Sequence, residues 1–201
     1  MDTQKSKFKV IAASVGLALG LSALVWVGLN QLSGNPHLDE EEGHSSHSGE
    51  ALELGIGSPL PNLELQSLDK KLTRLSQVAG KVTLINFWAT WCESCLVEMP
   101  SIEKLYSQFK DQGLQVIAVS LDETSTSEEI APLVKKLNLS FPVFEDPQQR
   151  LSELLSISAI PITLVVDADL KILMVENGER DWFSSEIQDL TKKWLAQSTQ
   201  E

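Results

Sequence analysis

Cys92 and Cys95 are the only cysteines in the chain, and two residues separate them. A bridge that short closes a loop too small to constrain much unfolded chain, so it is a poor structural staple. A disulfide-stapled secreted fold would need more cysteines, set farther apart. The spacing suits thiol–disulfide exchange, which requires an attacking thiolate, an access route and a resolving thiol. The stretch Phe87-Trp88-Ala89-Thr90-Trp91-Cys92-Glu93-Ser94-Cys95 joins an apolar, strand-like run to an amphipathic helical pattern. A helix N-terminus carries partial positive charge and unpaired N–H groups, which stabilise a thiolate. Cys92 is expected at that position and facing solvent. Cys95 lies one turn on, close enough to attack a mixed disulfide formed at Cys92.

The neighbours of the pair modulate this chemistry. Glu93 lies between the cysteines, and its carboxylate opposes thiolate formation. A less stabilised thiolate makes the dithiol a better reductant, which tilts the expected direction toward reduction. Trp91 is expected to cover the cysteines and offer partners a flat apolar contact, and Trp88 to pack in the core. Trp182 and Trp194 fall in the last helical pattern and are read as packing residues.

Around the pair, strands and helices alternate. Pro59 to Leu75 reads as a hairpin turning at Asp69-Lys70-Lys71, and Val82 to Phe87 as a buried central strand. Leu96, Met99, Ile102, Leu105, Tyr106 and Phe109 recur at helical spacing, with Pro100 expected to kink the helix and Gly113 to end it. Strands are expected over Leu114 to Leu121, Phe141 to Phe144, Ile162 to Val166 and Lys171 to Val175. Helices are expected over Ser127 to Leu137, Gln148 to Leu155 and Trp182 to Gln197. This order predicts an α/β fold, a mixed sheet with helices on both faces.

The stretch Asn86-Phe87-Trp88-Ala89-Thr90-Trp91-Cys92-Glu93-Ser94-Cys95 resembles the active site of the TlpA/ResA-like branch of the thioredoxin superfamily. Ser158-Ala159-Ile160-Pro161-Ile162-Thr163-Leu164-Val165-Val166-Asp167 is similar to that family's segment around a cis-proline. Phe141-Pro142-Val143-Phe144-Glu145-Asp146 resembles its central β-α insertion. The resemblance covers roughly residues 56 to 197. It implies a thioredoxin-like fold with an N-terminal hairpin, a redox-active Cys92–Cys95 disulfide, a cis Pro161, and Ile160 lining the partner groove. Thioredoxins proper carry a buried Asp where this chain has Asn86, which does not titrate. Glu98 matches an acidic residue of that branch's active site, and the hypothesis is that it lies partly buried beneath Cys95 and transfers protons. The competing reading of Glu98 is a surface carboxylate favouring the helix N-terminus.

The same resemblance implies a membrane-tethered oxidoreductase outside the cytoplasm. Its partners would be exported cysteine-containing proteins, apocytochrome c among them, and a membrane thiol transporter as electron donor. No cofactor beyond the dithiol is implied. Residues 1–9, with Lys5, Lys7 and Lys9, are expected in the cytoplasm, and 10–30 as a transmembrane signal anchor. Residues 31–54 read as a flexible acidic linker, and 55–201 as the thioredoxin-like domain. The uncharged run from Val10 to Leu29 would span about 30 Å as a helix, the thickness of a bilayer core. The preceding lysines place the N-terminus inside and the domain in the periplasmic or extracytoplasmic space. A cleaved signal peptide is the alternative, and it exports the domain equally.

A net charge of −12 argues against nucleic acid as a partner. His37, His44 and His47 all fall in the linker, leaving the domain no histidine for a metal site. A copper or zinc chaperone using the two cysteines would therefore lack the further protein ligands that tetrahedral zinc needs. A peroxiredoxin-like peroxidase, which uses a lone cysteine in a differently built loop, also fits poorly. An oxidase or isomerase on the same thiol chemistry remains the close variant of the reductase.

Overall fold

The computed structural model describes residues 52, 54–123 and 127–198. The expected membrane anchor, nearly all of the linker and its three histidines lie outside them. Among the described residues, no helix is long and apolar enough to cross a membrane.

The sheet is built outward from β3 (Val82–Trp88), whose seven residues are all buried, as an apolar run rich in β-branched and aromatic side chains requires. β4 (Leu114–Ser120) lies parallel to it on one side, and β6 (Ile162–Asp167) antiparallel on the other. β5 (Val143–Glu145) extends the parallel part beyond β4. The hairpin β1 (Glu64–Ser67) and β2 (Leu72–Arg74) then adds antiparallel to β5. β7 (Ile172–Asn177) closes the far edge against β6. The order is β2-β1-β5-β4-β3-β6-β7, a mixed sheet of seven strands.

Alternation along β3 divides the core. Leu84 and Trp88 pack in one cluster with α2 (Glu93–Phe109), α3 (Ser127–Lys136) and α5 (Ser185–Gln197). Ile85 and Phe87 pack in a second cluster with Leu75 of the short α1 (Leu75–Val78) and with Leu151 of α4 (Arg150–Leu154). Asn86 shares the face of Leu84 and Trp88, because side chains alternate along a strand. That face carries α2 and the site.

α2 buries Met99, Ile102, Leu105 and Phe109 at helical spacing and continues through Pro100. It passes into a 3₁₀ turn, Lys110–Gln112, and stops at Gly113, whose φ of 111° favours glycine. Two helices begin later than the sequence pattern suggests. α4 starts at Arg150 because the Asp146 carboxylate accepts the N–H groups of Arg150, Leu151 and Ser152. α5 starts at Ser185, where the Ser184 hydroxyl accepts from the Ile187 N–H. Trp182 is therefore not on the last helix but in the connector before it.

Candidate active site

Cys92 is the N-cap of α2. Its Sγ accepts from the Cys95 N–H at 3.3 Å, and the two cysteines form a disulfide with their Cα atoms 5.3 Å apart. Against the expectation that it faces solvent, Cys92 is buried, but it keeps 7% of its surface, whereas Cys95 keeps none. That asymmetry decides which sulfur a partner reaches first. Glu93 is exposed in the first helical turn.

The turn that carries Cys92 from β3 to α2 is pinned from β4. Asp122, just past the end of β4, accepts from the Thr90 N–H at 3.0 Å, from the Thr90 hydroxyl at 2.7 Å and from the Ser120 hydroxyl at 2.5 Å. Charge-assisted bonds of this kind fix a loop tightly. Parallel pairing of Trp88 with Ser120 brings the two strand ends together and makes the bonds possible.

Glu98 lies one helical turn beyond Cys95 on the buried face of α2, and 1% of it is exposed. Neither a surface position nor partial burial describes it. Oε1 accepts from Asn86 Nδ2 at 2.7 Å, and Oε2 accepts from Trp182 Nε1 at 3.0 Å and from the Arg180 N–H at 3.2 Å. Asn86 Nδ2 also donates to Thr163 Oγ1 at 2.9 Å, across the β3–β6 pair that sets Asn86 opposite Thr163. Burial raises the Glu98 pKa above the ordinary carboxylate value, partly offset by the three donors, while the nearby Glu179 charge raises it further. Asn86 thus cannot titrate but holds the group that can.

The Ile160–Pro161 peptide is cis, and the Pro161 carbonyl accepts from the Gly178 N–H at 2.8 Å. Trp91, 72% exposed, and Ile160 both line a cavity of about 740 Å³. Among the described residues no group of three or more His, Cys, Asp and Glu side chains could hold a metal ion.

Most of the residues singled out in the sequence thus gather around the disulfide and its buried acid. Trp88 packs in the core. Sequence reasoning missed Trp182 as a donor to Glu98 and the clamp of Asp122 on Thr90. The Asp181-Trp182-Phe183-Ser184 stretch did carry a signal, since a serine in that place is a strong helix cap. Nothing in the sequence pairs Asp122 with a residue 32 positions away.

A dithiol at the junction of a central strand and a helix, with a cis-proline loop beside it, defines the thioredoxin-like class of thiol–disulfide oxidoreductases. The chain matches the AhpC/TSA family over residues 56–175 and belongs to it, among the ResA-like thiol–disulfide oxidoreductases. It is 33% identical over 127 residues to a thiol–disulfide oxidoreductase ResA of Bacillus cereus, a match covering 63% of this chain and 72% of the relative. With ResA of Bacillus subtilis strain 168 it shares 32% identity over 125 residues, covering 62% of this chain and 69% of the relative. The thioredoxin domain of a thiol–disulfide oxidoreductase from Bacteroides vulgatus superposes with a TM-score of 0.61 at 23% identity, over 71% of this chain and 99% of that one. At that identity the likeness speaks for the fold alone.

Proposed function

We propose that the domain is an extracytoplasmic, membrane-tethered protein-disulfide reductase. The observation that carries the reading is the unequal pair at the head of α2, with Cys92 at the N-cap keeping a little accessible surface and Cys95 keeping none. In the reduced enzyme, the Cys92 thiolate attacks a partner disulfide. A Cys92–partner bond forms, the partner S–S bond breaks, and one partner thiolate leaves. Cys95, deprotonated, then attacks Cys92 Sγ and releases the second partner sulfur. Two electrons and two protons pass from the dithiol to the partner, and the Cys92–Cys95 disulfide is left. Glu98, the buried acid one turn below Cys95, takes the proton from the Cys95 thiol in this scheme.

Glu93 supports the reducing direction, since its carboxylate stands beside the developing thiolate. The N-terminal lysines and the apolar run after them support export and tethering in a bacterial cytoplasmic membrane. Exported cysteine-containing proteins, apocytochrome c among them, are the proposed substrates, and a membrane thiol transporter is the proposed donor of electrons. The N–H that Cys95 directs at Cys92 Sγ favours the reduced form and is the observation on the side of an oxidase.

The redox state of the pair in living cells separates the two directions. Acid quenching followed by thiol-specific mass tagging should find Cys92 and Cys95 mostly as free thiols. A pair found mostly as the disulfide would assign the domain to disulfide donation instead.

A further inference from the structure

We infer that the cavity beside the disulfide selects partner segments carrying lysine or arginine next to their reactive cysteine. The inference rests on reading the domain as a protein-disulfide reductase and names the substrate feature that this same site recognises. The cavity is placed to meet the partner chain. Trp91 immediately precedes Cys92 and Ile160 immediately precedes the cis-proline, and both line it. A partner sulfur that reaches Cys92 therefore brings its flanking residues to the mouth of the cavity. At about 740 Å³ it holds more than one side chain.

The lining determines which side chains fit. Trp91, Ile157, Ala159 and Ile160 supply apolar surface, and Asp122, Glu123 and Glu129 supply carboxylates. Among the described residues, no lysine or arginine lines it. The Asp122 carboxylate is already engaged by Thr90 and Ser120, so its role here is to hold the wall. Glu123 and Glu129 are exposed at the rim. Lysine and arginine match this lining in both parts. Their alkyl stems lie along apolar surface while the charged head reaches outward, and an indole face attracts a cation. An acidic residue in the same place meets two like charges, with no cationic side chain among the described lining residues. Because the rim carboxylates are exposed, the selection acts mainly on the rate of productive encounter and is screened by salt.

The test uses the full-length protein, reduced and freed of reductant, against two peptides. Each peptide carries one disulfide between cysteines two residues apart, and they differ only in lysine or glutamate flanking the cysteines. At low salt the lysine peptide should be reduced about tenfold faster in the second-order regime, and the ratio should shrink as ionic strength rises. In the double variant Glu123→Gln/Glu129→Gln the ratio should fall to about twofold. In Asp111→Asn/Asp189→Asn, which removes the same charge from sites away from the cavity, it should persist. Equal rates for the two peptides, or a ratio that survives Glu123→Gln/Glu129→Gln, would overturn the inference and leave the reductase standing. Reduction of neither peptide would overturn the reductase reading, and the inference with it.

Discussion

Glu98 is the most constrained residue of the site. Three donors from two segments converge on its carboxylate: Asn86 from β3, and Arg180 and Trp182 from the connector before α5. The raised pKa has a consequence for stability whose sign is fixed. At low pH the group is protonated in both folded and unfolded chains and contributes nothing. As pH rises above the ordinary carboxylate value of 4.5, the unfolded chain ionises first, and the fold loses stability until the raised folded pKa is passed. Glu98→Gln should remove that loss. Denaturant titrations of the oxidised protein across a range of roughly pH 4 to 8 should show a flatter profile for the variant, with the gain at the neutral end. The same variant should slow exchange by about a hundredfold if Glu98 transfers the proton. Asn86 makes the pocket tolerant of either form. Its Oδ1 is buried without a partner, while Nδ2 serves both Glu98 and Thr163. A half-turn of the amide puts Oδ1 where it accepts from a protonated Glu98 and from the Thr163 hydroxyl. No backbone has to move.

Between elements, the site depends on how β3 and β4 begin and end. Their far ends are set by the Asp122 clamp on Thr90. At their near ends a Cβ on Gly80 would lie 2.5 Å from the Gly113 carbonyl oxygen, a contact that only a backbone shift can relieve. Gly80→Ala should therefore cost about 1–3 kcal/mol of stability, read from the midpoint of urea unfolding. The elements that position the cysteines are largely legible in the sequence. Val82 to Phe87 and Leu114 to Leu121 are apolar runs bounded by Gly80 and Gly113, and the helix after Cys95 follows from Met99, Ile102, Leu105 and Phe109. The start of α5 is not, because Phe183, Ile187, Leu190 and Trp194 recur at helical spacing and carry the apolar pattern one residue upstream of the true cap. Ser184 breaks that pattern through its hydroxyl, a local bond that periodicity does not register. The site shows the same division. The cysteines stand close together in the sequence and are legible there, whereas Trp182 and Glu98 meet across 84 positions.

At the scale of the whole domain, the seven-stranded sheet has β3 near its centre and β2 and β7 at its edges. The hairpin edge is tied inward by Lys70 and Gln66, which both bond the buried Glu145 carboxylate of β5. The opposite edge is tied through Gly178 to the carbonyl of Pro161. The cysteines hang from the strand that is buried on both faces and paired on both sides, not from either margin. This ordering sets a hierarchy of opening. Amide protons of β2 and β7 should exchange with deuterium through small, local fluctuations, and those of β3 only when the whole domain unfolds. The reactive disulfide is thus fixed to the slowest-opening part of the molecule, and a partner that pries at either margin leaves the reacting geometry in place.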